Sequence, residues 1–263
     1  EERLHQLKGH GEILVLQADV ANLEEMEMAV REARTRFSKI DGVIHAAGVT
    51  RDAFVLRKTR EEMEAVLAAK IYGTINVDLA TRGENLDFFA LFSSAAGVMG
   101  NVGQSDYAYA SRFQDAFAEN REALRRAQKR TGRALSIDWP LWEEGGMRIP
   151  EDDVALLEKQ TGICPLPTQE GIRYWEDFLH SEAVQGVAAY GIPSRIAAFI
   201  ARQPAKTHGN APARAEGVDP AALFAQTEAY LKALIGKEIE LASDRIGSSD
   251  PLESFGLDSV MIN

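Results

Sequence analysis

Between residues 70 and 111 an ammonium, a hydroxyl and a phenol recur at intervals that allow joint chemistry. The segment Leu91-Phe92-Ser93-Ser94-Ala95-Ala96-Gly97 puts two hydroxyls at the end of an apolar run that reads as a parallel strand. Ligands bind outside that carboxyl end in open α/β sheets, although a serine there also serves as a turn or helix cap. Thirteen residues past Ser94, Tyr107 opens a helical pattern, with Ser111 at i+4 on the same face. Lys70 belongs to a helical stretch from Arg60 whose apolar face carries Met63, Val66, Leu67, Ile71 and Thr74. A lysine on that face either snorkels to solvent or sits against a polar site. The tyrosine likewise serves either packing or chemistry. A nearby ammonium favours phenolate, lowering an ordinary phenol pKa of about 10.

The elements that must position these groups alternate strand and helix. Ile13–Leu16 reads as a buried parallel strand ending at Asp19. Asn22 with Glu25 forms a capping box, opening a helix that runs to about Phe37. Gly42 to Ala46 is a second strand, Arg60 to Thr81 a long helix, and Phe88–Phe92 a third strand. A helix from Tyr107 to Thr131, a strand at Ala134–Trp139, a helix at Gln169–Leu179 and a strand at Gly186–Tyr190 follow. This order predicts an α/β fold with a doubly wound, mostly parallel sheet. Gly9-His10-Gly11 precedes a strand instead of following one, so it reads as a turn and not as a phosphate loop. The chain opens inside a helical pattern, which predicts that the strand–turn–helix holding a pyrophosphate lies upstream.

Residues 203–217, with Pro204, Gly209 and Pro212 and no periodicity, read as a linker between residues 1–202 and a second domain over 218–263. In that domain Asp219-Pro220 starts a helix with an apolar stripe of Leu223, Phe224, Tyr230, Leu231, Leu234 and Ile235. The net charge of −11 argues against nucleic acid as a partner. No apolar run reaches a membrane span and no signal peptide is present, which predicts no membrane partner. The one cysteine, Cys164, excludes an internal disulfide and fits a reducing cytoplasm. No His/Cys cluster has metal-ligand spacing, so no metal is expected.

Taken together, the spaced residues resemble the short-chain dehydrogenase/reductase superfamily, and specifically the ketoreductase domains of modular polyketide synthases, over roughly residues 1–200. In those domains a serine stands thirteen residues before the tyrosine, which selects Ser94 over Ser93. Their lysine lies on the preceding helix in a K-x-x-G-x-x-N context, matched by Lys70-Ile71-Tyr72-Gly73-Thr74-Ile75-Asn76. An asparagine commonly follows the tyrosine by four residues; here it is Ser111. The resemblance implies a Rossmann-like sheet lacking its first βαβ, and NADPH-dependent reduction of a carrier-bound β-ketoacyl thioester. Tyr107 would donate to the carbonyl oxygen, Ser94 would orient it, and Lys70 and Ser111 would complete the catalytic set. Asp19-Val20 and Ala46-Ala47-Gly48 match cofactor-contacting positions. Asp52 keeps the last residue of the Leu-Asp-Asp that marks one stereochemical class, and Met99 replaces the tryptophan of the other, which implies B-type behaviour and a D-hydroxyl. Trp139, Leu141 and Met147 match the substrate side, with a lid over about Arg148 to Leu157. The Tyr-Ala-Tyr-Ala run from Tyr107 resembles ketoreductases of trans-acyltransferase assembly lines.

The end of the chain resembles an acyl carrier protein cut short. Gly256-Leu257-Asp258-Ser259 matches its attachment motif, with Ser259 taking a 4'-phosphopantetheine arm from a phosphopantetheinyl transferase. The implied setting is a multifunctional cytoplasmic synthase of polyketides, or of polyketide–peptide hybrids, whose upstream segment supplies the nucleotide-binding start. The competing reading is a catalytically silent domain that serves as a scaffold for carrier docking.

Overall fold

The computed structural model describes residues 9, 11–202, 225–226, 228–230, 232–233, 242 and 245–247. The chain divides into two compact units, residues 1–204 and 205–263. In the first unit the elements run α1 (Leu23–Phe37), β1 (Gly42–His45), α2 (Arg60–Leu67), a π-helical turn (Ala68–Tyr72), α3 (Gly73–Ala80) and β2 (Phe88–Ser94). They continue with α4 (Ala95–Met99), α5 (Ser105–Arg126), β3 (Arg133–Trp139), α6 (Glu151–Thr161), α7 (Thr168–His180), β4 (Gln185–Val187) and α8 (Pro193–Arg202). The four strands pair in the order β1-β2-β3-β4, all parallel. The expected α/β class and parallel sheet are therefore present.

Local chemistry sets the helix ends. The Asn22 side chain accepts from the backbone N–H groups of Glu24 and Glu25, satisfying donors that have no intrahelical partner. The Glu25 carboxylate reaches back to the Asp19 N–H at 2.7 Å and the Asn22 side-chain amide, and so departs from the reciprocal box expected. A full capping box stands at α2 instead, where Thr59 and Glu62 bond each other's backbone N–H.

Strand residues alternate between two cores, as a pleat requires. Phe89 and Leu91 face Val77 and Ala118 on one side of the sheet. Ala90, Leu135, Ile137 and Trp139 face Leu166 on the other, under Tyr174, Trp175 and Phe178 of α7. Beneath the first layer, Arg121 of α5 is buried over the Phe89 ring and bonds Asp78 of α3 and the carbonyls of Thr131 and Gly132.

Two expectations change. Ile13–Leu16 forms no strand; Val15 is 65% exposed, and no described residue pairs with the segment. An apolar run supplies strand propensity, but a ladder needs a neighbour's N–H and C=O groups, and β1 takes its partner from β2. The strand at Gly186–Tyr190 shortens to Gln185–Val187, the residues that pair with β3. In the second unit the described residues include a Glu228–Lys232 ion pair of 2.8 Å at i,i+4 spacing. The linker over 203–217 and Ser259 with its motif lie outside the described residues.

Candidate active site

Lys70 does not snorkel. It sits in the π-helical turn, 1% exposed, and its Nζ donates to the Phe92 carbonyl at 3.0 Å and to Gln114 Oε1 at 2.8 Å. The extra residue of a π turn displaces the helix face, a device common at functional sites. Burial lowers its pKa to about 8, opposed by the negative charges of Asp115 and Asp138. Gly73 and Asn76 of the same motif have structural work. A Cβ on Gly73 would stand 3.0 Å from the Val20 methyls and 3.1 Å from His45, and Asn76 donates to the Val20 carbonyl.

The strand-end serines divide. Ser93 is buried and donates to the Ser111 carbonyl, which joins β2 to α5. Ser94 caps α4 by accepting from Ala96 N–H, and its hydroxyl also acts on the Tyr107 phenol. The cap reading of that serine is thus present in the structure. Burial raises the Tyr107 pKa, with the Ser94 hydrogen bond opposing and the charge of Asp52 adding. The lowering expected from Lys70 is not among the causes of that shift, although its Nζ, donating to Phe92 and Gln114, lies 4.9 Å from the phenol ring's centroid.

A clamp fixes the start of α5. Asp106 accepts from Tyr107 N–H and pairs with Lys58 at 2.9 Å, both side chains buried. Lys58 also donates to the Arg51 carbonyl, and Gln104 donates to Asp52. These bonds draw the 51–58 loop, with Asp52, to the Tyr107 side of the site. Met147 joins from the other side, its sulfur 3.6 Å from the phenol oxygen.

At the end of β1, Ala46 and Ala47 are exposed and Gly48 is half-buried. A Cβ on Gly48 would meet Lys70 Cε at 3.4 Å and Met147 Cε at 3.7 Å, which places this turn in contact range of both side chains. Small residues beside an ammonium fit the nicotinamide end of a dinucleotide. His45, just before them, is buried with Nε2 unpartnered among the described residues, and burial, reinforced by Lys70, lowers its pKa to about 4. It is neutral at physiological pH. Asp19 uses one carboxylate oxygen to accept from Ala21 N–H, a turn bond, while Val20 packs on Gly73.

The other predicted residues make no side-chain bond to Tyr107 among the described residues. Trp139 is 5% exposed in the α7-side core, with ring centroids 4.9 Å from Trp142 and 5.3 Å from Phe92. Leu141 is half-buried, its carbonyl bonded to Leu166 N–H, and Met99 ends α4. The region expected to form a lid holds α6, whose contacts include α8. Ser111 is fully buried, and its hydroxyl has no partner among the described residues. Gln114, Lys58 and Asp106 escaped the sequence reading. Gln114 stands at Tyr107 plus seven, on the same helical face, and that phase was the available signal.

A lysine, a serine and a tyrosine thus stand near one another beside the carboxyl end of β2 in a parallel sheet. Residues 1–144 match the KR domain family. Polyketide synthase PksL of Bacillus subtilis (strain 168) is 36% identical over 259 residues, 94% of this chain and 6% of that synthase. Polyketide synthase ThaG of Burkholderia thailandensis is 36% identical over 244 residues, 93% of this chain and 4% of that synthase. A solved ketoreductase domain from the bacillaene assembly line aligns with a TM-score of 0.73 at 37% identity, covering 75% of this chain and 48% of that one. An N-terminal ketoreductase from the macrolactin assembly line aligns with a TM-score of 0.66 at 34% identity, covering 75% and 38%. The chain belongs to the ketoreductase domain family of polyketide synthases. It spans a few per cent of the synthases it matches and under half of these solved domains.

Proposed function

We propose that this chain contributes the catalytic half of an NADPH-dependent β-ketoacyl reductase acting on a carrier-bound thioester. The observation that carries it is the convergence of Lys70, Ser94 and Tyr107: the Lys70 Nζ lies 4.9 Å from the phenol ring's centroid, Ser94 opposes the rise in the phenol's pKa, and the phenol oxygen lies 3.6 Å from the Met147 sulfur. NADPH, when bound, supplies the hydride for the carbonyl carbon. Ser94 orients the carbonyl oxygen, and Tyr107 gives it a proton as charge develops. The raised phenol pKa suits a proton donor held neutral until that moment. The Lys70 ammonium then steadies the phenolate left behind.

Ala46, Ala47 and Gly48 would hold the nicotinamide side, and Asp19-Val20 the adenosine side. A phosphate-binding βαβ on the open edge of β1 would complete the sheet. Ile44 on that strand is 51% exposed, and α1 has no buried residue, unusual for a helix flanking such a sheet. Asp52 beside Tyr107 supports the B-type reading and a D-hydroxyl product. The trans-acyltransferase reading rests on the Tyr107-Ala108-Tyr109-Ala110 run. The carrier reading, with Ser259 as phosphopantetheine site, rests on its motif.

Tyr107→Phe in the full chain tests the assignment, with NADPH oxidation measured against a β-ketoacyl thioester. General acid catalysis contributes about 10²–10⁴-fold, so turnover should fall at least 100-fold with the melting temperature nearly unchanged. Near-wild-type turnover would refute it. Failure of the wild type to oxidise NADPH even within the intact synthase, nucleotide-binding segment included, would instead favour the silent scaffold.

A further inference from the structure

The K-x-x-G-x-x-N lysine needs an acceptor that keeps its ammonium aimed at the phenol, and Ser111 does not provide one. Its hydroxyl is fully buried without a partner among the described residues. Its Cβ lies against Gly97, where an added methyl would stand 3.0 Å away, so this position is given over to the packing of α4 on α5. One turn further along, Gln114 is equally buried, and its Oε1 accepts from Lys70 Nζ at 2.8 Å. Its Nε2 donates to Thr74 Oγ1 at 3.2 Å, and Thr74 donates to the Lys70 carbonyl at 2.5 Å. The amide is thereby held from both ends, with its oxygen directed at Lys70.

We infer that Gln114 is a positioning residue that holds the Lys70 ammonium against the Tyr107 ring, supplying the acceptor that Ser111 does not. The phase of α5 makes this possible. Tyr107 and Gln114 are seven residues apart, two turns of one face, so a single rigid helix carries both the phenol and the group that orients its lysine. A hydrocarbon at 114 would leave the Phe92 carbonyl as the one hydrogen-bonding acceptor seen on Lys70. Gln114 acts through Lys70 and touches no reacting atom. Its catalytic importance rests on the reductase reading, whereas its effect on Lys70 does not.

The titratable groups bearing on Lys70 are Asp115 on α5 and Asp138 on β3, which favour its charge, His45 on β1, which is neutral, and the Tyr107 phenol on α5, whose raised pKa keeps it protonated. Residue 114 adds or removes an acceptor without changing the others. Gln114→Met keeps the volume and removes the acceptor; Gln114→Glu keeps the shape and adds charge. The Lys70 titration is followed in the full chain by the ¹³Cε shift of labelled lysine, assigned with Lys70→Arg. Hydrogen bonds to charged groups shift equilibria by about 10-fold or more, so the Met variant should titrate about one pH unit below wild type. The Glu variant should titrate above wild type. Turnover should fall about 10-fold or more in the Met variant through kcat, with cofactor KM nearly constant, and the Glu variant should recover part of it.

A Lys70 midpoint that does not move in either variant overturns the inference, as does lost turnover with an unmoved midpoint. If the Met variant does not fold, the Glu variant decides alone, because its midpoint must rise. A wild type that fails to reduce the thioester while Lys70 still responds to residue 114 sinks the reductase reading and leaves this one standing.

Discussion

Asp138 offers a test of the buried charge behind the site. It lies on β3, fully buried, with Oδ2 accepting from Gln185 at 2.7 Å and Oδ1 unpartnered among the described residues. Its neighbour Asp115 takes the Ser136 hydroxyl and the Arg112 guanidinium. Burial first, and then the charge of Asp115, raise the Asp138 pKa to about 7. An unfolded aspartate titrates near 3.9. As pH rises from about 4, the unfolded chain therefore loses this proton while the fold retains it, and stability falls until about pH 7. Roughly three pH units at about 1.4 kcal/mol each set a ceiling of about 4 kcal/mol. Asp138→Asn keeps the acceptor for Gln185 and removes the titration. The variant should match wild type near pH 4 and be more stable at pH 8 by on the order of 3 kcal/mol, a rise of roughly 6–12 °C in melting temperature. Calorimetry across pH 4–8.5 reads both curves. Parallel curves for the two proteins, or a less stable variant at pH 8, would refute the assignment of the missing charge to Asp138.

Arg121→Leu removes the donors to Asp78 and to the Thr131 and Gly132 carbonyls, and should cost about 3–5 kcal/mol in urea unfolding, as breaking a buried pair does. A loss under about 1 kcal/mol, the size of a surface pair, would show that Arg130, also on Asp78, suffices. Chiral chromatography of the β-hydroxy product should give the D-isomer, and an L-product would overturn the stereochemical reading of Asp52 and Met99.

The sequence by itself determined what depends on neighbours along the chain. The Asn22 cap, the strand at Ala134–Trp139, the phase joining Tyr107 to Ser111, and the thirteen-residue step from Ser94 are all local. Each follows from one element's period and its end chemistry, and the structure places these elements within a few residues of expectation. Tertiary structure decided the rest, because the distance between elements is set by packing. Lys70 had two fates on an apolar helix face, and the depth of the π turn beneath the Phe92 carbonyl chose burial. Ile13–Leu16 had the composition of a strand but no described partner to pair with. Ser111 was read as the fourth member of the set, yet close packing against Gly97 leaves its hydroxyl without a bond, and the acceptor on Lys70 comes from Gln114. Periodicity tells which face a residue occupies. Only the fold tells what that face meets.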